Sequence, residues 1–240
     1  MVSLRSCTNW YSFLAAKEAQ NMIREYCRRI GMLILGLVVS AVGIVMMLQA
    51  NVGLEPWSVL QEGLSHTLGI TYGTASALVG AVAIGVAAAC NEHVGFGTIL
   101  NIVLCAIMID CLLALGLIPL MTSLPSGIFM LLCGLELLAI GTWLYMRAAL
   151  GSGPRDALMV ALARKTGRSV GLCRAAVELL VILLGWLLGG RVGIGTVISA
   201  LALGSLFNLN FALFRFKASE LHQESVSETV HRLRRSIAGR

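Results

Sequence analysis

Three carboxylates stand where carboxylates are costly. Asp110, Glu136 and Glu178 lie inside long apolar runs, and a charge at the centre of a bilayer costs about 2.5–3.5 kcal/mol on insertion scales. A group in that position turns toward protein or water. There it either takes up and releases a proton or is tied down by backbone, Ser or Thr donors. Glu136, eight residues into its apolar run and far from either end, is the leading candidate, and both roles stay open for it. Glu178 lies one helical turn from Arg174, the spacing of a structural ion pair. Asn101, Asn208 and Gln49 add polar lining.

Enzyme chemistry finds little to work with. No His/Cys/Asp cluster has metal-ligand spacing. The histidines, His66, His93, His222 and His231, all fall in loops or tails, so no Ser/His pair sits at membrane depth. Phosphate-loop and dinucleotide fingerprints are missing. The expectation is a protein that is not an enzyme and uses no cofactor or metal.

The elements that must hold these residues are membrane helices. Hydrophobic residues form 58% of the 240, above the soluble norm of about 45–50%, and the mean hydropathy is +0.86. A spanning helix needs about 20 mostly apolar residues, and six segments qualify: 30–50, 73–90, 97–118, 128–147, 172–189 and 195–214. Two shorter stretches, 56–68 and 154–166, open with Pro56 and Pro154 in what reads as a first helical turn, and are too short to span. The bilayer is therefore one partner and a small solute a second; nucleic acid is not expected. The net charge of +6 marks where the chain meets the membrane surface.

The second half repeats the first at an offset of 98 positions without a gap. The offset carries Gly36 onto Gly134, Gly43 onto Gly141, Gly53 onto Gly151, Pro56 onto Pro154, Gly95 onto Gly193, Gly97 onto Gly195 and Thr98 onto Thr196. Glycine and proline mark backbone geometry, so one architectural unit was built twice. Asp110 aligns with Asn208 and Asn101 with Ser199, whereas Glu136 aligns with Val38 and Glu178 with Gly80.

Charge fixes the orientation. No Lys or Arg occurs between Ile30 and Met146, and 11 of the 18 basic residues lie before Ile30 or after Phe214. Arg147, Arg155, Arg164, Lys165, Arg168 and Arg174 cluster about the connection after the fourth span. With six spans these groups share one face, which the positive-inside rule makes cytoplasmic, together with both termini. Three spans per copy is an odd number, so the second copy enters from the opposite side. The expected fold is an all-α membrane protein of six transmembrane helices in two inverted three-helix repeats, each with a short interfacial or re-entrant helix. A rival with eight crossings and parallel repeats splits the basic clusters across the membrane, against that rule.

The expected organisation is a cytoplasmic N-terminal segment (1–29), a first repeat (30–118), an extracytoplasmic linker (119–127), a second repeat (128–214) and a cytoplasmic tail (215–240). Residues 1–29 resemble the front of a signal peptide, but the apolar run that follows exceeds a signal core of about 7–15 residues and carries repeat glycines. Trp10 to Ile23 reads as a surface segment or a disordered lead-in. Leu221, Val226, Val230, Leu233 and Ile237 give the tail an amphipathic helical pattern. The seven cysteines make no disulfide framework.

Two motifs carry alternatives. Gly-x-Gly-Thr (Gly95, Gly97, Thr98; Gly193, Gly195, Thr196) opens the third and sixth spans, where free helix amides can hold an anion; capping by the threonines explains it without a ligand. The short helices, if re-entrant, line a central path, but Glu62, His66, Arg155, Asp156, Arg164 and Lys165 favour helices lying flat. Small residues at packing spacing, Gly36 with Gly43 and Gly185 with Gly189, serve packing within the chain, with a homodimer as their other use.

GLEPWSVLQEGLSHTLGITYGT (53–74) with VGFGTILN (94–101), and GSGPRDALMVALARKTGRSVG (151–171) with VGIGTVIS (192–199), resemble the YczE/YitT-type bacterial membrane proteins over residues 30–214. The resemblance implies a multi-pass protein of the bacterial cytoplasmic membrane whose activity is poorly defined, and it transfers no site residues. Two functional classes follow: a transporter or permease for a small solute, which we prefer, and a membrane-embedded accessory or regulatory protein acting through cytoplasmic partners.

Overall fold

Apolar runs bounded by proline, threonine and glycine become helices. The computed structural model describes residues 3–90, 95–151 and 153–216, with the backbone alone for 3–19 and 22. Among these it has eight helices and no strand: α1 (Ser3–Gln49), α2 (Pro56–Leu68), α3 (Tyr72–Ala89), α4 (Phe96–Leu115), α5 (Leu124–Arg147), α6 (Pro154–Thr166), α7 (Val170–Leu187) and α8 (Ile194–Leu213). Six contain stretches long and apolar enough to cross a membrane: α1 from Ile23, and α3, α4, α5, α7 and α8. The chain is a multi-pass membrane protein. Of the expected amphipathic tail (215–240), residues 217–240 lie outside the described residues. The helix of α1 runs unbroken from Ser3, so the lead-in that sequence left as surface segment or disorder continues the first span.

Boundaries follow local chemistry. Pro56 and Pro154 occupy first-turn positions, where the missing N–H costs nothing. Thr71 and Ser169, one offset apart, cap α3 and α7 by accepting from the amides of Thr74 and Leu172. Gly69 (φ 65°) and Gly167 (φ 67°) end α2 and α6 in the left-handed region that favours glycine.

Packing centres on α1 against α5, the most extensive helix contact in the molecule. A Cβ at Gly36 would lie 2.8 Å from the carbonyl oxygen of Gly141, and one at Gly43 would lie 2.6 Å from that of Gly134. Position rises along α1 as it falls along α5, so the two helices are antiparallel. Only glycine permits this approach. The small-residue spacing is thus used inside the chain.

Each central helix carries an outer one, α4 on α1 and α8 on α5. The short helices cross over: α2 packs on α7 and α6 on α3. Trp57, Val79, Ala83, Leu158, Met159 and Val181 bind these four helices into one apolar cluster. Tyr26 and Met32 of α1 share another cluster with Tyr145 and Met146 of α5, and Phe214 stacks on Trp143 at 3.9 Å. The start of the first span and the end of α8 therefore meet at one end of the bundle, beside Arg147. We call it the basic end. Leucines such as Leu201 and Leu213 stay exposed on the outside, as a lipid-facing surface requires.

Candidate functional site

Between the spans, where α2 and α6 begin, lies a cavity of about 110 Å³. Its charged wall comprises Glu55, Arg155, Asp156, Arg174 and Glu178, and its polar and aromatic part includes Trp57, Gln61, Asn101, Ser40 and Tyr145. Ser40 and Leu138, equivalent mid-helix positions of α1 and α5, both line it. On α4, α5, α7 and α8 the lining residues fall from the helix midpoint toward the basic end.

The short helices reach this cavity with their N-terminal ends. Pro56, Trp57, Ser58 and Val59 are buried while His66, Thr67 and Leu68 are exposed; in α6, Pro154, Ala157 and Leu158 are buried while Arg164 and Lys165 are exposed. Helices lying flat would expose one side along their whole length, so the flat arrangement favoured by the charges is replaced by end-on entry. Glu55 and Arg155 are tolerated at this depth because they are paired. Glu55, wholly buried, accepts hydrogen bonds from the amides of Trp57 (3.3 Å) and Ser58 (3.1 Å) and from the Ser58 hydroxyl (2.9 Å), so it is the cap of α2. It also receives Arg155 Nη1 from the other short helix at 2.8 Å. The Arg155 guanidinium lies 5.4 Å from the centre of the Trp57 ring.

Two tyrosines hold polar groups of this wall. Tyr145 donates its hydroxyl to Asp156 at 3.2 Å, and Tyr72 donates to Gln61 Oε1 at 2.7 Å. Arg174 donates to Glu178 at 2.8 Å and lies 5.5 Å from the centre of the Phe207 ring, bridging α7 to α8. That bridge matters because α3 packs along α4, whereas α7 does not pack along α8.

A second ionic cluster closes the far end. Glu62 of α2 accepts from Arg191 Nε and from the Arg191 amide, both at 2.7 Å. The same guanidinium reaches Asn51 Oδ1 at 3.1 Å and the Leu48 carbonyl at 3.3 Å. At the basic end the position equivalent to Glu62 is Val160, so this tie has no ionic counterpart there.

The carboxylates singled out from sequence divide. Glu178 and Asn101 line the cavity. Glu136 does not; it accepts from Asn210 Nδ2 at 2.9 Å in the α5–α8 contact. Asn208, expected to add polar lining, is exposed on α8, and Asn210, two positions on, is the buried amide. Asp110 accepts from the Thr71 hydroxyl (2.6 Å) and the Gly73 amide (2.7 Å), fastening α4 to the start of α3. Its alignment with Asn208 therefore brings nothing together.

The Gly-x-Gly-Thr elements are structural. Gly95 and Gly193 occupy the cap positions, and Thr98 and Thr196 stand three residues later, where Thr196 joins the cap of α8 by accepting from the Gly193 amide at 3.2 Å. The amide of Gly97 donates to the Leu150 carbonyl and that of Gly195 to the Val52 carbonyl, each at 2.7 Å. These two amides are thus engaged by the opposite half of the chain. Gly53 (φ 107°) and Gly151 (φ 133°) supply the turns that bring those carbonyls in.

Sequence reasoning missed Glu55, Gln61 and Tyr145, and treated Arg155 and Asp156 as burdens. A signal was present. Glu55 directly precedes a first-turn proline, a capping position, and Arg155 falls two residues after Gly153, the equivalent of Glu55 in the other copy.

Known proteins agree with the membrane assignment. The chain is 34% identical over 179 residues to an uncharacterized protein of Haemophilus influenzae, covering 75% of this chain and 81% of that protein. It is 31% identical over 180 residues to the uncharacterized membrane protein YczE of Bacillus subtilis, covering 74% and 82%. With YyaS, an uncharacterized protein of the same organism, identity is 24% over 184 residues. No solved structure matches. A family model matches residues 27–210, the whole of the region that holds both short helices and the cavity, and the chain belongs to that family, the family of unknown function DUF6198.

Proposed function

We propose that this protein is a transporter or permease for a small solute, without enzymatic activity, built from two inverted three-helix repeats in the bacterial cytoplasmic membrane with both termini cytoplasmic. One observation carries the proposal: a charged cavity midway along the central helix pair, walled by both copies and entered by two half-helix N-termini. Sites of this kind, near the midplane at a repeat interface and framed by broken helices, are a recurring plan of secondary transporters. The antiparallel α1–α5 contact and the reciprocal Leu150–Gly97 and Val52–Gly195 hydrogen bonds support the inverted relation. The one-sided Glu62–Arg191 tie and the parting of α7 from α8 fit a state closed at the far end and open toward the basic end. Exchange with the opposite state is alternating access.

The test is flux in proteoliposomes carrying the full chain, across a panel of small charged and zwitterionic solutes. Accumulation or counterflow of a solute is expected, and Arg155→Gln, which leaves Glu55 buried without its cation, abolishes it. A panel with no flux for the wild type, together with a co-purifying partner lost on deletion of residues 215–240, replaces transport by the accessory role.

A further inference from the structure

The cavity wall is not electrically balanced. Glu55 is matched by Arg155 and Glu178 by Arg174, each at 2.8 Å. Asp156 accepts from the neutral hydroxyl of Tyr145, at 3.2 Å, and among the described residues it has no guanidinium in direct contact, Arg155 and Arg174 acting on it only across the cavity. Three carboxylates against two guanidiniums leave one negative charge. A second observation concerns the same space: Ser40, 4% exposed, lines the cavity, and its hydroxyl, buried beside Gly141, has no hydrogen-bond partner among the described residues. Buried polar groups are almost always satisfied, so an orphan beside an unmatched carboxylate marks a place where something binds.

We propose that the cavity binds a small protonated amine, with Asp156 as its counter-ion and Ser40 as a second acceptor. Charge selects a monovalent cation, because one positive charge brings the wall to neutrality. Size and lining select an organic one. A volume of about 110 Å³ approaches the roughly 150 Å³ that holds benzene in an engineered cavity, and Val79, Ile102 and Leu203 present apolar surface to whatever enters. A bare metal ion leaves those side chains facing water. An ammonium with three or four carbons satisfies both halves: its N–H groups donate to Asp156, Ser40 and the Asn101 side chain, and its alkyl part covers the apolar wall. An anion is opposed by the net charge, since both guanidiniums are already taken by carboxylates.

This assignment names the substrate class of the site on which the transport reading rests, so it is tested by binding rather than by flux. The purified full-length chain in nanodiscs is titrated calorimetrically with propylammonium chloride, and in parallel with sodium propionate, propanol and sodium chloride. One-to-one binding of propylammonium alone is expected. Asp156→Asn weakens it by at least about tenfold, the loss for removing a charged partner, while Ser40→Ala weakens it several-fold and Glu136→Gln leaves it unchanged. If Asp156→Asn does not fold, Ser40→Ala against Glu136→Gln carries the comparison. Preference for propionate, equal binding of propanol, or saturable binding of sodium in place of the amine overturns the assignment, as does full retention in the Ser40 variant. Amine binding without amine flux upholds the site and removes transport; flux of other solutes without amine binding does the reverse.

Discussion

Arg191→Ala tests the tie at the far end of the bundle. The Glu62 side chain is 7% exposed and that of Arg191 42%, so the pair lies between a buried and a surface ion pair. Removing one partner of a buried pair costs about 3–5 kcal/mol; exposed pairs contribute about 0–1 kcal/mol. The alanine variant keeps the Arg191 amide, which still donates to Glu62 Oε2, but loses the guanidinium contacts to Glu62, Asn51 and the Leu48 carbonyl. The intermediate exposure and the retained amide place the expected loss at about 2 kcal/mol. For a chain of this size that lowers the melting temperature by about 4–8 °C.

The assay is scanning fluorimetry of the detergent-solubilised protein at one fixed scan rate, since membrane-protein unfolding is rarely reversible. Glu62→Gln alone and the double variant complete a mutant cycle, with a coupling of about 1–2 kcal/mol expected between positions in direct contact. A melting temperature within about 1 °C of wild type for Arg191→Ala, or an additive cycle, refutes the assignment of this cluster as a closing tie. The reasoning fails there because the geometry would then hold a contact without energy.

Three further outcomes follow from the packing. Gly43→Ala puts a Cβ 2.6 Å from the Gly134 carbonyl oxygen and 2.9 Å from the Leu138 amide, and is expected to cost about 1–3 kcal/mol by overpacking; Gly31→Ala, with open space around it, leaves the melting temperature unchanged or slightly raised. Asp110→Ala strips the Gly73 amide and the Thr71 hydroxyl of their acceptor and should lower stability by about 1–2 kcal/mol in the same assay. Cysteines at Thr122 and Ser169, both exposed, in a background without native cysteines, should label from opposite sides of the cell membrane with an impermeant maleimide; labelling from one side removes the inverted topology.

The fold was largely legible because its signals are local. Apolar run length gave six spans, and Pro56, Pro154, Thr71, Ser169, Gly69 and Gly167 mark helix ends through chemistry within a few residues. The fourth span begins at Leu124, earlier than expected, because Pro125 fits a first turn rather than a loop. The site was harder to read because its partners are distant in sequence. Glu55 and Arg155 are 100 positions apart and Glu62 and Arg191 are 129 apart. Seen one at a time, each is a buried charge with a prohibitive cost, which is why end-on entry of the short helices looked unfavourable. Glu136 drew attention by standing alone in an apolar run, yet one amide, Asn210, suffices to hold it.

The asymmetry between the copies has a physical origin in those distant pairs. In both ties the acid comes from the first copy, Glu55 and Glu62, and the base from the second, Arg155 and Arg191. Two identical copies would place equivalent groups of like sign across the interface, where they repel and where each remains expensive at membrane depth. Divergence that puts an acid in one copy and a base in the other converts two costs into one paired interaction, and it makes each half dependent on the other: the first repeat alone leaves Glu55 and Glu62 without their guanidiniums. The same divergence leaves a remainder. Asp156 stands in the second copy where the first has Ser58, and both guanidiniums of the wall are in contact with other carboxylates. A charge kept unmatched in a wall where every other carboxylate found a guanidinium is the position through which a ligand can change the energy of the whole interface, because its binding adds the one charge the two copies do not supply to each other.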